Sequence, residues 1–150
     1  MSSYLGVDPG TSGALALWRD EDPCNMLFCR LDDTDHDIAA WLEIWEPMIL
    51  HAMVERVSAF PGQGVSSTFK FGRSFGFVIG LLVAFKIPFD LVTPVTWQRA
   101  MHCLSKGDKN RTKARAQQLF PKVKIVHATA DAGLIARCCA ERYGHRVIGV

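Results

Sequence analysis

Three carboxylates in this chain stand where carboxylates are costly. Asp8 closes the apolar run Tyr4-Leu5-Gly6-Val7 and is followed by the turn Pro9-Gly10-Thr11-Ser12-Gly13. Glu55 lies inside a second strand-like run, His51-Ala52-Met53-Val54-Glu55-Arg56-Val57. Asp131 falls near the start of a helical pattern, about residues 129–142, in which Asp131, Leu134, Ile135 and Cys138 share one face. A carboxylate at the end of a buried strand needs a cation or an array of donors to offset its lost hydration. Hard oxygen donors of this kind suit Mg²⁺, which takes one or two carboxylates and completes its shell with water and phosphate oxygens. Two such ions about 3.5–4 Å apart activate a water and stabilise the leaving oxygen in phosphodiester hydrolysis. The expectation is therefore a site for two Mg²⁺ ions, replaceable by Mn²⁺.

The charge pattern points to the same substrate chemistry. Net charge is only +2, but residues 20–46 hold nine acids and one base, whereas residues 99–124 hold eight bases and one acid. That asymmetry fits a polyanion-binding face, with phosphates met by lysine and arginine. An ordinary solvated basic helix accounts for the positive segment equally well.

The elements that must position these groups follow from periodicity. Strands are expected at about 3–8, 14–19 and 25–31, giving an antiparallel meander, then at 51–57 and 87–92. In the first strand, alternation places Tyr4, Gly6 and Asp8 on one face and Leu5 and Val7 on the other. Helices are expected at about 35–50, 66–85, 109–120 and 129–142, with a short one from Pro94 through Trp97 to Met101. The helix at 66–85 carries Gly72, Gly76 and Gly80 on one face. Each costs up to about 1 kcal/mol relative to alanine in a helix interior, so close backbone approach is expected. The sheet beneath is the commoner partner; the same helix of a second subunit is the other.

Other patterns carry less. Asp33, Asp35 and Asp37 alternate as in a calcium loop, but Ile38 replaces the required glycine and Ile44 the closing glutamate, so helix capping is the better reading. Gly72-Arg73-Ser74-Phe75-Gly76 matches GxSxG but falls mid-helix rather than on a strand-to-helix elbow. Five cysteines, odd in number and without CxxC spacing, read as free buried thiols in a reducing cytosol. The longest uncharged apolar run, Phe75 to Phe85, is too short to span a bilayer, and the N-terminus has no signal-peptide pattern. A single domain over 1–150, cytoplasmic and without membrane association, is expected.

The order β-β-β-α-β-α-β-α with acids at these places is the ribonuclease H-like pattern: an α/β fold with a mixed five-stranded sheet flanked by helices. The chain resembles the RuvC-type Holliday junction resolvases, and more closely their phage and viral branch. The resemblance rests on Leu5-Gly6-Val7-Asp8-Pro9-Gly10, Val54-Glu55 with Pro61-Gly62-Gln63-Gly64, Phe75-Gly76 to Ile87-Pro88, Val92-Thr93-Pro94 with Trp97, and Ala130-Asp131-Ala132-Gly133-Leu134-Ile135-Ala136. It implies a homodimeric endonuclease, of a bacterium or a phage-infected host cell, that nicks a four-way DNA junction symmetrically. Asp8, Glu55 and Asp131 would bind Mg²⁺. Lys109 or Lys113, or else Lys106, would act near the scissile phosphate. DNA contacts are expected from Phe60, Arg73, Lys106, Lys109, Arg111, Lys113 and Arg115, and a dimer contact from the Gly72/Gly76/Gly80 face.

Two positions depart from the family pattern. A fourth ligand, three residues before the final Asp, is replaced by Ala128; His127 is adjacent but offset by four. Ala128 reads as an Asp→Ala change that leaves a chain able to bind junctions and poorly able to cut them. The family's aromatic wedge, three residues after the Glu, is Ser58 here, with Phe60 or Phe69 as substitutes. Competing readings are a branched-DNA-binding module without cleavage, a related nuclease acting on flaps, forks or RNA, and an actin- or sugar-kinase-type fragment matching Asp8-Pro9-Gly10-Thr11. The last leaves Glu55 and the basic helix unexplained.

Overall fold

The computed structural model describes residues 1–56, 58 and 61–148, the side chains of 145–148 excepted. Five strands form one sheet in the order β3-β2-β1-β4-β5. β1 (Ser3–Asp8), β2 (Ala14–Arg19) and β3 (Leu27–Arg30) are the antiparallel meander read from the sequence. β4 (Ile49–Glu55) and β5 (Phe89–Val92) then run parallel to β1.

Alternation along β1 divides the core in two. Tyr4 joins a cluster with Met53, Trp97, Phe120, Leu134 and Ile135. Leu5 and Val7 join another with Ile38, Leu42, Val78 and Leu82. Helices α1 (Asp35–Trp45) and α2 (Val65–Ala84) supply the second cluster. α3 (Pro94–Ala100), α4 (Lys109–Leu119) and α5 (His127–Ile148) supply the first. The sheet is thus sandwiched between helices.

α5 lies directly against the sheet at Gly6. A Cβ there would lie 2.2 Å from the Ala136 backbone nitrogen and 2.3 Å from the Ala132 carbonyl oxygen, so only glycine permits this packing. A Cβ on Gly13 would fall 1.9 Å from the Asp8 carbonyl oxygen, which makes that glycine a condition of the turn leaving the first carboxylate.

Several sequence expectations are corrected. α1 stops at Trp45 and tightens into a 3₁₀ turn, Glu46–Met48, because Pro47 lacks the N–H that a continuing helix needs. Its start is as expected: the Thr34 hydroxyl accepts from Asp37 N (3.1 Å), with acids in the first turn. α5 is longer than expected at both ends. Cys24 is exposed, unlike the four other cysteines. The glycines of α2 do not lie against the sheet: a Cβ on Gly72, Gly76 or Gly80 would meet nothing within 4 Å. Instead Ser74, Val78 and Leu82 form the buried face of α2. α2, at 20 residues, is also longer than the uncharged run within it and by length and composition alone could cross a bilayer.

Candidate active site

Asp8 and Glu55 end neighbouring parallel strands. Val7 pairs with Val54 across β1 and β4, so the next residue on each strand, Asp8 or Glu55, emerges at the same carboxyl edge of the sheet. That edge is where open α/β sheets bind ligands. Asp131 comes from the second turn of α5, the helix held onto β1 at Gly6.

The three groups act on one another electrostatically. Burial pushes Asp8 up from its ordinary value to about 8, and the charges of Glu55 and then Asp131 add to the rise. Glu55 is raised by burial first; the Trp97 indole N–H opposes the rise and Asp131 adds to it. Asp131 is raised by burial and held back by the Thr112 hydroxyl, Lys109 and His127. Lys109, exposed at the start of α4, lowers all three. Yet no ion pair among the described residues joins any of these carboxylates to a lysine or arginine.

In donor type these residues suit a hard divalent cation. The donors are carboxylate oxygens, they repel one another, and partial burial denies them full hydration. Among the described residues, no three His, Cys, Asp or Glu side chains are drawn together tightly enough to close on a single ion. The carboxylates share a field rather than a finished ligand cage.

Clefts flank the edge. One of 570 Å³ is lined by Glu55, Arg56, Ser58, Gln63, Phe71, Thr93 and Pro94. A second, of 530 Å³, holds Asp131 with Arg99, Lys106, Lys109 and Thr112, and shares Pro94 with the first. A third, of 390 Å³, runs beside the turn after Asp8 and shares Gln63 and Phe71 with the first. The clefts therefore follow one another along the carboxylate edge.

The candidate cations divide. Lys106 and Lys109 line the cleft with Asp131, and Lys106 stands at a left-handed φ of 50°. Lys113 is half-buried one turn further along α4 and is not among the charges acting on the three acids. Arg111 is exposed on α4. Arg115 is engaged internally, its Nε donating to the Met101 carbonyl (2.8 Å) and its Nη1 to Gln118 Oε1 (2.8 Å). Arg73 pairs with Asp35 between α2 and α1. Phe60 lies outside the described residues, and Phe69 is exposed on α2. Ala128 is part-buried in the first turn of α5, one turn ahead of Asp131.

Sequence reasoning gave three neighbours no role at the site. Trp97 donates to Glu55 Oε2, Thr112 sits against Asp131, and Ser74 Oγ accepts from Gly10 N (3.3 Å) in the turn after Asp8. The place of Trp97 follows from the strand register: Val92 ends β5 opposite Glu55, and Trp97 follows in the first turns of the next helix.

Among solved structures, the chain is similar to a Thermus thermophilus RuvC in complex with a Holliday junction substrate, at TM-score 0.65 and 17% identity over 97% of this chain and 96% of that one. It is similar also to a second Thermus thermophilus RuvC structure, at TM-score 0.64 and 16% identity over 97% and 96%. The chain has the RuvC fold. No family model matches the sequence, and no curated protein does. The near-complete coverage of both chains means that the RuvC fold accounts for the flanking helices as well as the sheet. The mixed five-stranded sheet flanked by helices is the fold expected from the order of elements.

Proposed function

We propose that this protein is a divalent-metal-dependent endonuclease that resolves four-way DNA junctions. The observation that carries the reading is the gathering of Asp8, Glu55 and Asp131 at one edge of a RuvC fold, mutually repelling and within the field of Lys109. Both RuvC neighbours are matched over nearly their whole length, and one of them is described as bound to a Holliday junction substrate.

In this reading Asp8, Glu55 and Asp131 hold Mg²⁺, or Mn²⁺ in its place. Bound ions lower the pKa of the attacking water and neutralise charge on the leaving oxygen. Lys109 neutralises the phosphate being cut, and Lys106, Arg99 and Arg111 seat the neighbouring backbone. The linked clefts guide one strand past the acids. Two copies pair through the exposed stripe of α2, where Val65, Phe69, Gly72, Gly76, Gly80 and Val83 recur every three or four residues. Symmetric nicking of two strands requires such a pair.

The test is cleavage of a mobile four-way junction against duplex, fork and flap, with Mg²⁺ and with Ca²⁺, for this chain and its Ala128→Asp variant. Paired symmetric nicks with Mg²⁺ only, and tight junction binding with either ion, are expected from the variant. Equal cutting of flaps or forks overturns the junction assignment. A second reading is favoured by Ala128, which brings no oxygen to the first turn of α5: a junction-binding protein without cleavage. Binding without cutting, persisting in Ala128→Asp, selects it.

A further inference from the structure

Trp97 is a large, wholly buried side chain, yet it does more than fill the core. Its indole Nε1–H donates to Glu55 Oε2 at 2.7 Å, the short end of such bonds. An indole has one donor and no acceptor, so this bond fixes the carboxylate's direction without competing for it.

The ring is held from several sides. Thr93 caps α3, its hydroxyl accepting from Thr96 N, and Pro94 begins the helix. Trp97 N donates to the Thr93 carbonyl at 3.2 Å, and Met101 N donates back to the Trp97 carbonyl at 3.0 Å. Thr93 directly follows β5, whose last residue, Val92, stands opposite Glu55; Arg56 N donates to the Val92 carbonyl at 2.7 Å. Glu55 and the donor that orients it therefore hang from the same pair of strands. Among the described residues no donor meets Oε1, which is left to the cleft that Glu55 lines.

We infer that Trp97 is a positioning residue: by engaging Oε2 it sets which oxygen Glu55 offers to a divalent cation. The inference rests on the metal-site reading above. Hydrogen bonds to the outer oxygen of a ligating carboxylate typically carry a 10–100-fold effect on metal affinity.

Calorimetric Mg²⁺ titration of the EDTA-stripped protein tests it, on the unmodified chain, Asp8→Asn, Trp97→Phe and Met101→Ala. Met101 is buried in the same cluster and controls for lost packing. Trp97→Phe keeps an aromatic ring and loses the N–H; the expectation is about 10-fold weaker binding, with Met101→Ala close to the unmodified protein. In parallel, the four indole N–H resonances are followed through a Mg²⁺ titration of the unmodified chain, which decides the matter even where Trp97→Phe does not fold. The Trp97 signal moves most, and Glu55→Gln removes that response. Unchanged affinity in Trp97→Phe, or a Trp97 resonance indifferent to Mg²⁺ while the other signals of the site respond, overturns the inference and leaves the metal site standing. No Mg²⁺ binding by the unmodified chain, or binding that Asp8→Asn leaves intact, overturns the metal-site reading itself and the inference with it.

Discussion

Gly6 on β1 and Ala136 on α5 touch backbone to backbone: a Cβ on Gly6 would come within 2.2 Å of the Ala136 nitrogen. This contact seats the helix that carries Asp131 onto the strand that ends in Asp8. Neither atom belongs to a flexible side chain, so neither can yield cheaply. Gly6→Ala is therefore expected to destabilise by about 3 kcal/mol or more, at the upper end of overpacking costs. Urea denaturation measures it. A loss below about 1 kcal/mol, inside ordinary overpacking, would mean that α5 shifts freely, and the geometry of the site would not depend on this contact.

The burial of Asp8, with the repulsion of Glu55 and Asp131 added to it, predicts an unusual pH dependence. Asp8 titrates near 8 in the folded protein against an ordinary 3.8. Between those values the folded state keeps a proton that the unfolded chain has released, so stability falls as pH rises. The slope from this one group is up to about 1.4 kcal/mol per pH unit. In EDTA the melting temperature is expected to decline from pH 5 to pH 8. Asp8→Asn flattens the decline, and Mg²⁺ raises the melting temperature more at pH 8 than at pH 6. A melting temperature independent of pH across that range contradicts the raised Asp8 carboxyl.

The sheet and the acids were legible in the sequence because both follow from short patterns. Period-two alternation marked β1 and separated Asp8 from Leu5 and Val7, and an acid in an apolar strand is conspicuous. What was not legible depended on contacts between distant segments. The three glycines of α2 looked like the close-packing glycines, whereas Gly6, an unremarked residue inside a strand, performs that role. Periodicity finds a helix face but not what lies opposite it. In the same way, Arg115 counted as one more cation of a basic helix until its guanidinium was found donating to Met101. The Trp97–Glu55 bond spans 42 residues, and no local pattern encodes it.

The α2 stripe gives a prediction with two opposed signs. Gly76 is exposed, and a Cβ on it would meet nothing within 4 Å. For an isolated subunit, Gly76→Glu adds a better helix former with room to spare, a gain of roughly 0.5–1 kcal/mol. In a dimer packed through this stripe it buries an unpaired charge. Sedimentation equilibrium is expected to show a dimer for the unmodified chain and a monomer for Gly76→Glu. The separated subunits should stay folded. A monomeric unmodified chain, or a variant that dimerises as tightly, removes the stripe as the interface.

Ala128 gives the most direct test of the chemistry, because the effect of replacing it depends on the metal. α5 has no acid in its first turn, where a carboxylate would stabilise the helix dipole by about 0.3–1 kcal/mol. Ala128→Asp supplies that acid three residues before Asp131, so both project from one face. Without metal, the gain is opposed by a further negative charge beside acids that already repel one another. With Mg²⁺ the added oxygen becomes a ligand. The expected outcome is a melting temperature in EDTA no higher than that of the unmodified chain, a larger increase on adding Mg²⁺, and junction cleavage raised at least about 100-fold, the scale of one transition-state electrostatic contact. In that background Lys109→Met should abolish most of the gain, since Lys109 is the cation acting on all three acids. Lys113→Met should chiefly weaken DNA binding and lower its salt slope by about one. Cleavage unchanged by Ala128→Asp would show that the missing oxygen is not what limits this site. Equal losses from Lys109→Met and Lys113→Met would show that the field of Lys109 at the acids has no special part in the cut.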